Sequence, residues 1–351
     1  MIETKESIQN RILSNISDKY DKSEGSFFYD AEKPVAIELE NIYSEQRNIL
    51  NNAFVNTAEN AWLDRKVAEQ GIYRKLATKS RGFVTIKGSV GAKINKGDKV
   101  ASDIVNFICL EDKTFDDDKQ VNCSIKCEVE CEVEGSIGNV PVGAIKYFPI
   151  TLPGLISVTN LEKIDGGYEM ETDDSLRKRY EEKVRTPPTS GNKYHYRNWA
   201  TGVIGVGDAK VFPLWKGAGT VKIVIIDSNK HSATKELIDK VYDYVEENRP
   251  IGADVTVTGA VEKDIRVNAK VVLASGYNIS NVQEEFIKLI DKYLKEVAFN
   301  ISYISIARVG NILLNTPGVL DYSELKMNDI TNNISLEDEE IPVLGNVELG
   351  V

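Results

Sequence analysis

The sequence predicts an α+β multidomain chain: an N-terminal helical region, an all-β middle module and two small ferredoxin-like α+β modules at the C-terminus. Three observations carry this reading. Residues 1–80 place apolar side chains at helical spacing. Residues 81–160 switch to short alternating runs broken by glycines. Residues 203–262 and 263–351 each run through strands and an amphipathic helix, the second ending in an extended acidic tail. A helical connector, 161–202, joins the β-rich part to the first of the two sandwiches.

The helical region begins with SIQNRILSNI, where Ile8, Ile12 and Ile16 are spaced for one helical face. The segment from Pro34 to Ala53 is stronger. Proline suits a first-turn position. Val35, Leu39, Ile42, Gln46, Ile49 and Ala53 then follow a 4-3-4-3-4 spacing, an a/d seam with one polar member, Gln46. Such a seam either packs inside its own domain or forms a bundle with a partner chain, and both readings stay open. A third helix covers about Ala58 to Gln70, with Trp62, Leu63 and Val67.

In the middle module, GFVTIKGSVGAKINKGDKVAS, IVNFICL and NCSIKCEVECEVEG read as short strands. DKTFDDDK (112–119) is an acidic loop at a hairpin tip. It lacks the alternating aspartates, glycine and distal glutamate of a calcium loop. The connector holds ETDDSLRKRYEEKVRTPP, a helix with Thr172 as N-cap, Asp173 and Asp174 at its positive end, and Pro187 and Pro188 as its stop. A second short helix follows, capped by Ser190. Beyond it, DAKVFPLW, GTVKIVIID and ADVTVTGAV are strands, and SATKELIDKVYDYVEEN is a helix with Leu237, Val241, Tyr244 and Val245 on one face. The last module repeats the plan. Its strand alternates Ile265, Val267, Ala269, Val271 and Leu273, and its long helix is amphipathic through Val282, Phe286, Leu289, Tyr293 and Val297.

Composition narrows the function. The 351 residues carry a net charge of −11, with 42% hydrophobic and 28% charged residues. An acidic surface repels phosphate backbones, so nucleic acid is not an expected partner. The basic run RKRYEEKVR (177–185) alternates with acids and reads as a solvated helix face. The polar N-terminus has no signal-peptide core, and the most apolar run, VKIVIID (221–227), is far short of a bilayer span. Synthesis and folding in the cytosol, with no membrane partner, is the expectation.

No chemistry stands out. The stretch HYRNWATGVIGVGDAKVFPLW (195–215) concentrates a histidine, two tryptophans and three glycines. Its glycines, Gly202, Gly205 and Gly207, follow a helix and precede a strand, the reverse of a dinucleotide loop. They read as a helix stop and a turn, with Trp199 and Trp215 as packing anchors at a join between the body and the C-terminal half. His195 lies four residues before Trp199 on one helical face, and His231 is expected on the surface. No nucleophile elbow and no paired-histidine metal motif occur. Cys123, Cys127 and Cys131 recur every four residues. On a strand, such positions share a face about 13 Å apart, too far to ligate one metal. They read as reduced core cysteines, with Cys109 beside them. No catalytic residue, cofactor, metal or small-molecule substrate is expected.

Three runs together carry a family resemblance: IDGGYEMETDDSLRKRY (164–180), PPTSGNKYHYRNWATGVIGVGDAKVFPLWKGAGTVKIVIID (187–227) and ENRPIGADVTVTGA (247–260). In this order they resemble the baseplate J-like family, wedge proteins in the baseplates of contractile phage tails and phage-tail-like particles. TPGVLDYSELKMN followed by EIPVLGNVEL is similar too. The resemblance spans about residues 30 to 351. It implies a structural protein with no catalytic residues to carry over. It also implies partners: other wedge proteins, among them a second wedge subunit and a sheath-initiator-type protein, and copies of the chain itself in a sixfold ring around a hub. That ring changes shape to release sheath contraction. The seam at 35–53 would then meet a wedge partner. Two rivals belong to other classes. A glycan-binding adhesin would need exposed aromatics among Phe83, Phe107, Phe115, Tyr147 and Phe148, and a cell-wall hydrolase would need an acidic pair in a cleft.

Overall fold

The computed structural model describes residues 3–115, 124–185, 189 and 191–351. They form two compact units, Met1–Arg74 with Glu171–Val184, and Lys75–Met170 with Arg185–Val351.

The first unit is helical. Helix α1 (Lys5–Ser14) starts in a capping box between Thr4 and Ser7 and buries Ile8, Gln9 and Leu13. Helix α2 spans Phe27–Asn52. Its N-cap is Ser26, whose hydroxyl accepts from the Tyr29 N–H at 3.4 Å. The helix therefore begins about two turns before Pro34, which sits inside it rather than in its first turn. Proline has no N–H, so the Asp30 carbonyl loses its helical donor there. Helix α3 (Asn60–Ala68) and helix α4 (Asp173–Arg185) share a small core of Ala58, Leu63, Val67, Ile72 and Leu176. Thr172 caps α4 through the Ser175 N–H, as the sequence predicts. The stop at Pro187 and Pro188 lies outside the described residues, and the helix that follows is capped by Asn192 rather than by the expected Ser190.

The second unit begins with a β module. Strands β1 (Arg81–Gly88), β3 (Lys99–Ala101), β4 (Asn106–Cys109), β6 (Ser124–Cys131) and β7 (Leu155–Thr159) form one sheet in the order β3-β4-β6-β1-β7, while β2 (Lys93–Ile94) pairs with β5 (Lys113–Thr114). Bridges from Ala101 to Tyr147 and from Val140 to Ile164 nearly close it into a barrel. Period-2 patterning fills the inside: Val84 and Ile86 of β1 face Ile125, Cys127, Val129 and Cys131 of β6 in one core. Cys123 and residues 116–119 of the acidic loop lie outside the described residues.

The next module contains helix α5 (Lys193–Gly202), strands β8 (Val206–Pro213) and β9 (Thr220–Asp227), helix α6 (Lys235–Asn248) and strand β10 (Asp254–Gly259). Asn192 caps α5 by accepting the His195 N–H at 2.9 Å. The last module contains strand β11 (Val261–Leu273), helix α7 (Ile279–Val297), strand β12 (Tyr303–Ile304), helix α8 (Ile306–Leu314), and strands β13 (Val319–Met327), β14 (Ile334–Ser335) and β15 (Glu340–Gly350). Its sheet runs β13-β11-β15, and β12 pairs with β14. The acidic tail thus supplies the sheet's third strand.

These modules correct the ferredoxin-like expectation. That topology needs four strands, with a strand lying between the two that flank each helix. Here β9 and β10 are direct parallel neighbours around α6, and each main sheet has three strands among the described residues. The alternation of apolar residues reveals a strand but not its neighbour, so the error lies in pairing. In α7 the buried stripe is Val282, Phe286, Ile290 and Leu294, while Leu289 lies at its edge, 37% exposed. In α6, Leu237, Val241 and Val245 are buried and Tyr244 is exposed, as fits a stripe rather than a whole face.

Candidate assembly interface

The seam read from the sequence lies along α2. Twenty-six residues make a helix about 39 Å long. Its sole buried residue is Ala36. Val35, Ile42 and Ile49 are 47%, 50% and 60% exposed; Gln46 is exposed, and Leu39 and Ala53 are half-buried. Leu50 and Phe54 extend the same apolar surface at its C-terminal end. Helix α1 meets the start of α2, where the Gln9 side-chain amide donates to the Tyr29 carbonyl at 2.8 Å. An apolar a/d stripe left in water is the form expected of a helix that completes its packing elsewhere.

The rest of that unit is firmly held. Arg74 bridges Asp64 at 2.7 Å and Asp173 at 2.6 Å, with its guanidinium largely buried. Asp173 also accepts the Asn60 N–H at 2.9 Å, which caps α3 from a distant part of the chain. That hydrogen bond, together with the Arg74 guanidinium, holds its carboxyl below the usual range. Arg177 donates to the Val55 and Ala58 carbonyls and Arg179 to that of Tyr73, so the basic face of α4 closes helix and loop ends.

The stretch 195–215 resolves into a helix end, a turn and a strand start. Gly205 has φ +96°, and a Cβ there would stand 2.8 Å from the Tyr168 ring. A Cβ on Gly207 would stand 2.2 Å from the Asp227 carbonyl oxygen. Trp199 is half-buried and stacks on His195, with ring centroids 4.0 Å apart. His195 accepts the Gly191 N–H, and burial lowers its pKa. Trp215 is not a packing anchor. It is 43% exposed in the β8–β9 loop, with the Lys222 ammonium over its ring. Its rarity suggested burial, but it follows the end of β8, beyond the module's core.

Beside Gly207, burial pushes the Asp227 carboxyl up to about 6 from its ordinary 3.8. Its Oδ1 accepts the His231 N–H at 2.8 Å, and the His231 ring meets Glu262 at 3.2 Å. Tyr168 is likewise pushed up, first by burial and then by Asp227. In the barrel, Cys109 and Cys127 are hydrogen-bonded to each other, and that contact with burial raises the Cys109 thiol. The same contact lowers the Cys127 thiol, and both side chains are fully buried in the barrel core.

A cleft of ≈ 750 Å³ lies along Tyr168, Val203, Ile204, Leu237 and Tyr244. Of its charged lining, Lys240 pairs with Glu236, Arg81 with Glu130 outside the cleft and Asp165 with Lys163. Among the described residues, no group of three or more His, Cys, Asp or Glu could hold a metal ion, and no helix is long and apolar enough to cross a membrane. Of the five middle-module aromatics, Phe107 and Phe115 are in the core and Phe148 packs against it, while Phe83 and Tyr147 are exposed.

Comparison with known proteins gives three family matches in chain order. The Baseplate J-like protein barrel domain matches residues 83–167, the Baseplate J-like central domain 188–259 and the Baseplate J-like protein C-terminal domain 265–350. The chain is 38% identical over 357 residues to the phage-like element PBSX protein XkdT of Bacillus subtilis, covering 99% of this chain and 97% of that one. It is 26% identical over 209 residues to the baseplate protein gp47 of Escherichia phage Mu, covering 56% and 57%. A chain of the anti-feeding prophage baseplate aligns over 98% of this chain and 99% of its own, with TM-score 0.41 and 8% identity.

Proposed function

Since this chain belongs to the Baseplate J-like family, we propose that it is a structural subunit of the baseplate wedge of a contractile tail, in a phage or a phage-tail-like particle. In this reading it joins other wedge proteins, including a second wedge subunit and a sheath-initiator-type protein. Copies close a sixfold ring around the hub, and the ring relays the shape change that triggers sheath contraction. Heterologous contacts that close by rotation are the geometry such a ring needs.

The observation that carries the proposal is the water-exposed seam of α2. Val35, Leu39, Ile42, Gln46, Ile49 and Ala53 form the partner interface, and a helix of the wedge partner covers them. The join at Trp199, Gly205 and Gly207 hands the chain from the barrel to the ring-forming modules.

Leu39→Glu, Ile42→Glu and Ile49→Glu together test this. Ile42 and Ile49 are exposed and Leu39 is half-buried; surface positions tolerate such changes with little effect on the fold, so the purified chain should stay folded, with at most a small drop in its melting temperature from Leu39. Tail assembly should stop before a complete baseplate, as read by electron microscopy of particles from producing cells. Normal particles carrying all three changes would remove the seam from the interface.

A further inference from the structure

Strand β9 is buried on both faces, and its two faces do different things. Ile223 and Ile225 belong to the core under α5 and α6. Val224 and Ile226 point the other way and pack with Ala260, Ala298 and Ile341. The C-terminal module therefore sits on the second face of the β8–β10 sheet. The contact is small beside the separate core each module has of its own.

Two cations frame it. Lys222 of β9 pairs with Glu339 at 2.5 Å and lies 5.2 Å from the Trp215 ring centre. Lys210 of β8 pairs with Asp338 at 3.3 Å and lies 5.8 Å from the Phe299 ring centre. Each lysine is thus held between a carboxylate of the acidic tract and an aromatic ring. Phe299 itself has φ +63°, a left-handed backbone that a bulky side chain resists. Its ring packs against the Val224–Ile226 cluster. Strain of this kind persists only where packing enforces it. Between Gly259 of β10 and Val261 of β11 the chain has one residue, Ala260.

We propose that the C-terminal module is a latched arm. It hinges after Ala260, whose own N–H stays bonded to the Ile225 carbonyl, and the Lys222–Glu339 and Lys210–Asp338 pairs, the Ser232 N–H to Glu262 hydrogen bond and the strained Phe299 hold it on the central sheet. Breaking the charge pairs frees the arm while both modules stay folded. This concerns the chain itself and goes beyond the baseplate reading; it stands whether or not the seam on α2 binds a partner.

Hydrogen exchange on the full chain, read by mass spectrometry, tests it. Lys222→Glu and Glu339→Lys should each speed exchange about tenfold or more in peptides covering 296–301 and 336–340, while β9 stays protected by its ladders to β8 and β10. Peptides from β1, β6 and the middles of α6 and α7 should keep parental rates. The double exchange, Lys222→Glu with Glu339→Lys, should restore slow exchange at the contact. Phe299→Ala keeps both charge pairs and should loosen the same peptides. Unchanged exchange in the single variants, or a double variant that fails to recover, overturns the latch. Acceleration that spreads through α6 and α7 overturns the hinge, since it means unfolding rather than release.

Discussion

Asp227 makes the central module sensitive to pH. Its carboxyl is pushed from 3.8 to about 6 by burial, roughly two units at about 1.4 kcal/mol each. A carboxyl raised on folding disfavours the folded state once ionised. The effect is small below about pH 4, grows through the folded pKa and is complete above it. Ionised Asp227 thus costs about 3 kcal/mol at pH 7.5 and about 1 kcal/mol at pH 4.5. Asp227→Asn keeps an oxygen for the His231 N–H, now 2.8 Å away, and removes the titration. Any fixed cost of the amide cancels between the two pH values. The stability of the variant relative to the parent should therefore rise by about 2 kcal/mol from pH 4.5 to 7.5. Urea unfolding followed at Trp199 reports this module when the exposed Trp62 and Trp215 are replaced by phenylalanine. A variant-minus-parent difference that stays flat between the two pH values would refute the assignment of Asp227 as a buried, penalised carboxylate.

Two further outcomes follow from the same geometry. Gly207→Ala forces a methyl into the Asp227 carbonyl, and strands β8 and β9 must part locally; the central module should lose about 1–3 kcal/mol, measured by the same urea titration. In the helical unit, the Asp173 carboxyl is lowered on folding, so its contribution is present above the unfolded carboxylate pKa of about 4 and fades as pH falls through the lower folded value. Asp173→Asn should weaken α3 and α4 at pH 7 and flatten the acid limb of their unfolding, followed by Trp62 fluorescence.

The parts of the fold that were legible are those set by local periodicity. The inner face of β6 follows from strict alternation, and the seam of α2 from heptad spacing, because side-chain direction is fixed by position within one element. The start of α2 is hidden because Pro34 has the look of a first-turn residue, while the capping signal at Ser26 sits eight residues earlier in an aromatic stretch. Strand neighbours were not legible. Whether β10 lies against β9 or one strand away depends on contacts that no local pattern records. The candidate interface divides the same way. Exposure of Ile42 and Ile49 could be argued from polar neighbours, but Lys222 and Glu339 meet across 117 residues, and nothing in either neighbourhood announces the other. Trp215 misled because rarity was taken for burial.

The core of the helical unit is assembled from two distant stretches, with Leu176 of α4 completing the cluster begun by Leu63 and Val67. That arrangement has a timetable. During translation the first three helices emerge long before α4 exists, and the ribosome needs on the order of 10 s to make the residues between. Until then Leu63 and Val67 lack Leu176 and Arg74 lacks Asp173, and the barrel has every chance to fold first. The link from α4 back to the end of α2, where Arg177 donates to the Val55 carbonyl, is thus made late, after the barrel has been synthesised. A nascent chain has its helical unit complete only once more than half of its residues have been made.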